Sequence, residues 1–166
     1  MTYGVGDDVS FEENLDYFMK SSYGKDIPID LYDFSVDGLP SSLAKLSFHK
    51  DKIGIEPGCV HPADPLKGKK HVLWKFDIEG SEACFADCLD VNDLKNVDII
   101  VAEFHWLHVP EMMQAVVKIF TKLCDKFILF HLHGNNNCNM YTKLENMMLP
   151  CVIEVCFVNK KYMAYA

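Results

Sequence analysis

A chain of 166 residues with 49% hydrophobic and 24% charged residues fits one soluble globular domain, long enough to bury about 70% of its unfolded surface. Its formal net charge of −8 argues against a nucleic-acid backbone as partner, because such binding needs a basic stripe. No run of about 18 apolar residues exists to span a bilayer, and the acidic start with Asp7, Asp8, Glu12 and Glu13 is unlike a signal peptide, so the expected location is cytoplasmic.

In chain order, the first element is a very short strand over residues 2–5, followed by Gly6-Asp7-Asp8-Val9-Ser10. Ser10 reads as the N-cap of a helix, with Glu13 three positions on completing a capping box. Leu15, Phe18 and Met19 give this helix an apolar face; Glu12, Glu13 and Asp16 read as its solvated side. Strand two covers residues 29–32 and is closed by Asp33. Pro40 and Ser41 open a short helix to about Leu46, and residues 52–55 form a brief third strand. Pro57, Gly58, Pro62, Pro65 and Gly68 make residues 56–70 a loop.

Strand four ends at Asp77 and precedes a helix over residues 80–89. Strand five ends near His105. Pro110 then sits where a first-turn proline belongs, with Met113, Val116, Val117, Phe120 and Leu123 on one helical face. Strand six ends at His133, a loop from Gly134 reaches Pro150, and residues 152–158 form the last strand. Alternating strands and helices predict an α/β fold with a mostly parallel sheet and right-handed crossovers. Residues 1–166 form a single domain in this reading. The seven cysteines show no CxxC spacing, so they read as free thiols packed as small hydrophobes.

Three of the apolar runs end in polar residues two apart: Asp77 and Glu79, Glu103 and His105, His131 and His133. Residues two apart on a strand share a face, and ligands of open α/β sheets sit outside the carboxyl ends of the strands. Acids and histidines gathered there point to a site. A divalent metal held by Asp77, Glu103, His105 and His133 is one reading; acceptor-binding polar groups, or histidines satisfied by backbone hydrogen bonds, are the other. Glu82 falls in the first turn of the next helix, where the dipole alone favours an acid. Asn135 and Asn136 follow a glycine just past a strand, suited either to a polyhydroxylated acceptor or to an ordinary turn. His49, His61, His71 and His108 read as loop or surface residues.

Taken in order, Gly4-Val5-Gly6-Asp7-Asp8-Val9-Ser10-Phe11-Glu12, the acidic turn at Asp33, Lys75-Phe76-Asp77-Ile78-Glu79-Gly80-Ser81-Glu82, Glu103-Phe104-His105 and His133-Gly134-Asn135-Asn136 resemble the FkbM-type methyltransferases. That family is of the Rossmann-like class I kind and uses S-adenosylmethionine. The similarity runs over nearly the whole chain, and the Asp-Ile-Glu-Gly-Ser-Glu block is its most specific element. It implies a seven-stranded sheet with an antiparallel last strand, and methyl transfer to a small-molecule or sugar acceptor.

The same resemblance assigns roles. Gly4 and Gly6 let the methionine and ribose part of the cofactor approach the backbone, since no Cβ intrudes. Asp7 or Asp8 meets its ammonium group and Asp33 accepts ribose hydroxyls; by position alone, near strand three, Gly54 with Ile55 lines the adenine. Asp77 borders the methyl donor and is the candidate general base, with Glu103 and His105 as orienting or alternative base residues. Glu79, His131, His133, Asn135 and Asn136 fall on the acceptor side. A plain turn at Gly4–Gly6 and an Asx turn at Asp33 are the structural alternatives.

The chain departs from the family in two places. Its first strand begins almost at Met1, and the connection between strands three and four is too proline-rich for a full helix. It reads as a minimal version of the fold, one that pairs with another subunit, such as a second copy of the chain, for cover of the cofactor or else binds the cofactor weakly. Two other function classes stay open: a methyltransferase-fold binding partner without catalysis, and a metal-dependent hydrolase or transferase.

Overall fold

The computed structural model describes residues 1–39, 46–135 and 140–165. Its elements are β1 (Thr2–Tyr3), α1 (Ser10–Tyr23), β2 (Ile29–Tyr32), β3 (Leu46–His49), β4 (Val72–Phe76), α2 (Phe85–Cys88), β5 (Val97–Phe104), α3 (Pro110–Cys124), β6 (Phe127–Gly134), β7 (Tyr141–Leu144), β8 (Met147–Pro150) and β9 (Ile153–Asn159). Seven strands form one sheet in the order β3-β2-β1-β4-β5-β9-β6. All its pairings are parallel except those of β9, which runs antiparallel to β5 and to β6. This is the Rossmann-like α/β arrangement with an antiparallel last strand that the sequence predicts. From β1 the chain builds outward to β2 and β3, then returns to place β4 on the other side of β1. Strand order therefore reverses between β1 and β4, the point where open α/β sheets hold ligands.

One face of the sheet carries the main core. Trp74 and Phe76 of β4, Ile100 and Phe104 of β5, and Val155 and Phe157 of β9 are nearly fully buried, with Phe85 of α2 and Ile119 and Leu123 of α3 packed on the same cluster. Strict alternation of buried and half-buried positions along β4 and β9 reflects the two-residue period of a strand. Burying each such side chain contributes about 1.5–3 kcal/mol, so this face anchors the strand ends that form the site.

The proline-rich stretch after β3 takes the place of a crossover helix. A single bridge pairs Ile53 with Val60, a 3-10 turn spans Asp64–Leu66, and the buried Tyr3 hydroxyl donates to the Pro62 carbonyl at 2.8 Å. Third-strand pairing belongs to Leu46–His49, in register with all four residues of β2; residues 52–55 supply only the one bridge. The expected helix over 80–89 is a 3-10 turn, Ser81–Cys84, running into the single α-turn of α2. Asp90 closes it by accepting the Asn92 amide at 2.8 Å, a local bond that competes with helix continuation.

The loop after Gly134 contains the β7–β8 hairpin. Its turn has Glu145 at φ 52°, a residue type that gives no hairpin signal in sequence. At the start of α1, Ser10 is the first helical residue and makes no side-chain cap; Val9 holds the N-cap position. Asp8 accepts the Ser10 amide instead, at 2.8 Å. Glu12 and Asp16 are buried rather than solvated. Thr2 Oγ1 donates to Glu12 at 2.8 Å, Lys75 lies 3.9 Å from it, and Lys20 donates to Asp16 at 2.6 Å.

Candidate functional site

The glycine turn lies against the end of β4. Gly4, at φ +73°, donates its amide to the Tyr32 carbonyl at 2.9 Å. A Cβ there would stand 1.6 Å from the Asp77 carbonyl oxygen, so only glycine lets the ends of β1 and β4 meet. Gly6, at φ +59°, has open space where its Cβ would be. Asp33 holds this turn in shape. Its Oδ2 accepts the Val5 and Gly6 amides at 2.8 and 2.9 Å, and its Oδ1 accepts the Ser35 amide and hydroxyl at 2.7 and 2.6 Å. Burial works to raise the Asp33 pKa, but these four bonds outweigh it and hold the carboxyl below its usual range.

A cavity of about 440 Å³ opens here, bordered by Gly4, Gly6, Asp33, Lys75, Asp77 and Glu79. A second of about 410 Å³ shares Lys52, Ile53, Glu79 and Ser81 with it and adds Gly54 and Trp106. Together they form a cleft within the usual range for small ligands. Gly54 borders the second cavity; Ile55 is exposed and lines neither. A third cavity of about 420 Å³ lies at the opposite end of β1, against Leu15 and Ile27. Its acids Glu12 and Asp30 accept from Thr2 and Lys69.

At the β4 and β5 ends, four carboxylates surround one imidazole. His105, 6% exposed, pairs through Nδ1 with Glu82 Oε1 at 2.8 Å. Its Nε2 lies 3.4 Å from Glu103 Oε1, 3.5 Å from Glu79 Oε2 and 3.6 Å from Asp77 Oδ1. Glu82 is 1% exposed and also accepts the Ile78 amide at 3.2 Å. Burial works to lower the His105 pKa, but Glu103 and Glu82 outweigh it and lift the imidazole to about 10. His105 is thus charged at neutral pH. While it holds that proton its Nε2 has no lone pair to offer.

Glu103 is held below its usual range, first by its bond with His105. Asp77 moves the other way, to about 6, through burial and the neighbouring charge of Glu103. Environment therefore separates the roles: among these groups Asp77 has the proton affinity of a working base. Its Oδ1 is shut off from water with no hydrogen-bond partner among the described residues.

Backbone strain concentrates at the same place. Glu79, Gly80 and Trp106 have φ of 53°, 97° and 61°, and for non-glycine residues such conformations persist only where the surroundings impose them. A Cβ on Gly80 would come within 2.8 Å of the Trp106 ring. This turn aims the otherwise exposed Glu79 at His105.

The remaining predicted residues divide. Asn135 donates from Nδ2 to Glu103 Oε1 at 2.9 Å, so it belongs to the cluster. Asn136 lies outside the described residues. Asp7 is exposed, and Asp8 is turned to Ser10. His131 and His133 sit on β6, separated from β5 by β9, with their rings stacked at 6.2 Å. The expected metal set needs correction accordingly. The close group among the described residues is Asp77, Glu79 and His105, with Glu103 beside it, and β9 keeps His133 out of that group.

Sequence reasoning missed Lys75, Lys52 and Trp106 as cleft residues, and treated Glu82 as a helix-dipole acid. Lys75 sits two before Asp77, so the two-residue period places it on the Asp77 face. Nothing in sequence marks Trp106.

No family model matches the chain, and no curated protein matches it. Among solved structures, "putative rRNA-methylase from Clostridium thermocellum" aligns over 95% of this chain and 87% of its own, at 14% identity and a TM-score of 0.48. Among the described residues, no helix is long and apolar enough to cross a membrane.

Proposed function

We propose that the chain is an S-adenosylmethionine-dependent O-methyltransferase acting on a small polar acceptor, with a sugar or glycan precursor as the first class to try. The observation that carries this reading is the position of Asp77: a carboxyl raised to about 6, at the strand-order reversal, on the wall of the same cavity as the glycine turn.

The residues present fit the methyl donor. Gly6 leaves open the space a side chain would occupy, and the Gly4–Gly6 backbone forms one wall of the cavity. The bound donor supplies an electrophilic methyl group. Asp33 already uses its carboxylate for four hydrogen bonds, about the number of lone pairs it has, so a ribose hydroxyl would take the place of the Ser35 hydroxyl. Gly54 borders the adjoining cavity and suits the flat adenine.

Asp77, ionised above pH 6, accepts the proton of the acceptor hydroxyl. Glu103 and Glu82 fix the His105 imidazolium, and its charge keeps several carboxylates together at one point. Asn135 steadies Glu103 and stands on the acceptor side. The chain's contribution is chiefly to orient donor and acceptor and to remove one proton. A screen of hydroxylated acceptors with labelled S-adenosylmethionine tests the reading: Asp77→Asn should cut transfer by about 10²–10⁴-fold, and full activity in that variant would remove Asp77 as base.

A further inference from the structure

The geometry points to a divalent cation site formed by Asp77, Glu79 and His105, with Glu103 as a fourth ligand and Glu82 orienting the imidazole. It shares the site of the proposed transfer and rests on that reading only for the acceptor's part; binding of the ion itself needs no methyl donor.

Three observations carry it. First, His105 is more than nine-tenths buried, and its Nε2 faces three carboxylate oxygens at 3.4–3.6 Å. Charge-assisted hydrogen bonds close to about 2.7–2.9 Å, so all three contacts are longer than such bonds at their best. They are of the size expected between neighbouring ligand atoms around an ion with bonds of about 2.1–2.4 Å. Second, ligand atoms of Asp77, Glu79 and His105 all lie within 4.8 Å of one another, and the Asp77 Oδ1 among these side chains is buried without a hydrogen-bond partner. Third, the other imidazole nitrogen is taken by the buried Glu82 at 2.8 Å. A carboxylate on Nδ1 is the usual support of a histidine that binds metal through Nε2.

Charge favours the ion. Four carboxylates face one imidazolium, an excess of three negative charges if all are ionised, and a divalent ion would replace the Nε2 proton among the same oxygens. One imidazole with several carboxylates suits Mn²⁺ and similar first-row ions more than a thiophilic metal. The remaining positions would take water or two hydroxyls of a polyol acceptor, whose acidity the ion would raise; with the ion bound Asp77 is a ligand, and it serves as base only in the metal-free chain.

The test uses the full chain, freed of metal with chelator and titrated with Mn²⁺, which the seven cysteines attract little. Expected is one saturable Mn²⁺ per chain, weakened tenfold or more by D77N and by E79Q. Glu79 has an 80% exposed side chain, so E79Q leaves folding intact. No saturable binding below about 1 mM, or parent-like affinity in either variant, overturns the site. S-adenosylhomocysteine titrated in chelator tests the methyl-donor reading separately, so either idea can fail alone.

Discussion

Glu82 Oε1 lies 2.8 Å from His105 Nδ1, with the two residues 1% and 6% exposed. A buried ion pair of this kind is a weak source of stability as a pair but strongly destabilising when one member is lost. Glu82 comes from the turn after β4 and His105 from the end of β5, so the contact fixes one strand end against the next. Glu82→Ala should cost about 3–5 kcal/mol, read as a lowered denaturant midpoint. A change below about 1 kcal/mol would show that the pair is not formed.

His105 should stay protonated far above the ordinary histidine range. Its pKa is raised to about 10, so the stability it contributes is complete below about 6.5, the unfolded value, and fades as pH rises through 10. Carbon or nitrogen chemical shifts of the labelled imidazole should show no titration between pH 6 and 8. A midpoint near 6.5 would contradict the carboxylate cage.

Asp77 carries the opposite consequence for a carboxyl. Its pKa is raised to about 6, so the folded state favours the protonated form; the associated stability is present below 3.8 and lost as pH passes 6. At pH 7–8 Asp77→Asn should therefore be no less stable than the parent, and more stable by about 1 kcal/mol after allowing for its partial exposure. In chelator, transfer by the parent should rise through pH 6 and then level off. A rate already level at pH 4.5 would assign the base elsewhere.

Gly4 and Gly6 separate structure from binding. Gly4→Ala drives a Cβ into the Asp77 carbonyl and should destabilise the fold by about 4 kcal/mol, in the range of a severe single substitution. Gly6→Ala meets no atom and bears only left-handed strain of about 1–2 kcal/mol. Paired melts of the two variants check this; equal losses would deny the close approach of β1 to β4.

Much of this was legible because it depends on period and position. The alternation of strands and helices pointed to the class, and the polar residues at the ends of β4 and β5 pointed to the site, although Glu79 reaches it through the left-handed turn at Glu79–Gly80 and not through the strand period. What escaped notice depends on tertiary partners. Glu82 explains itself as a first-turn acid until His105 is brought to it from 23 residues away. Asp33 carries the same signal whether it binds a ribose or the Val5 and Gly6 amides. Glu12 and Asp16 look like a solvated helix face, and only the folded chain brings Thr2 and Lys75 against Glu12.

In the proposed function, the cleft beside Gly6 and Asp33 holds the methyl donor. Isothermal titration of the folded chain with S-adenosylhomocysteine, with and without Mn²⁺, tests it most directly. Micromolar binding that Gly6→Ala and Asp33→Ala each weaken tenfold or more is the predicted result. No binding under either condition, or binding indifferent to both substitutions, would contradict it.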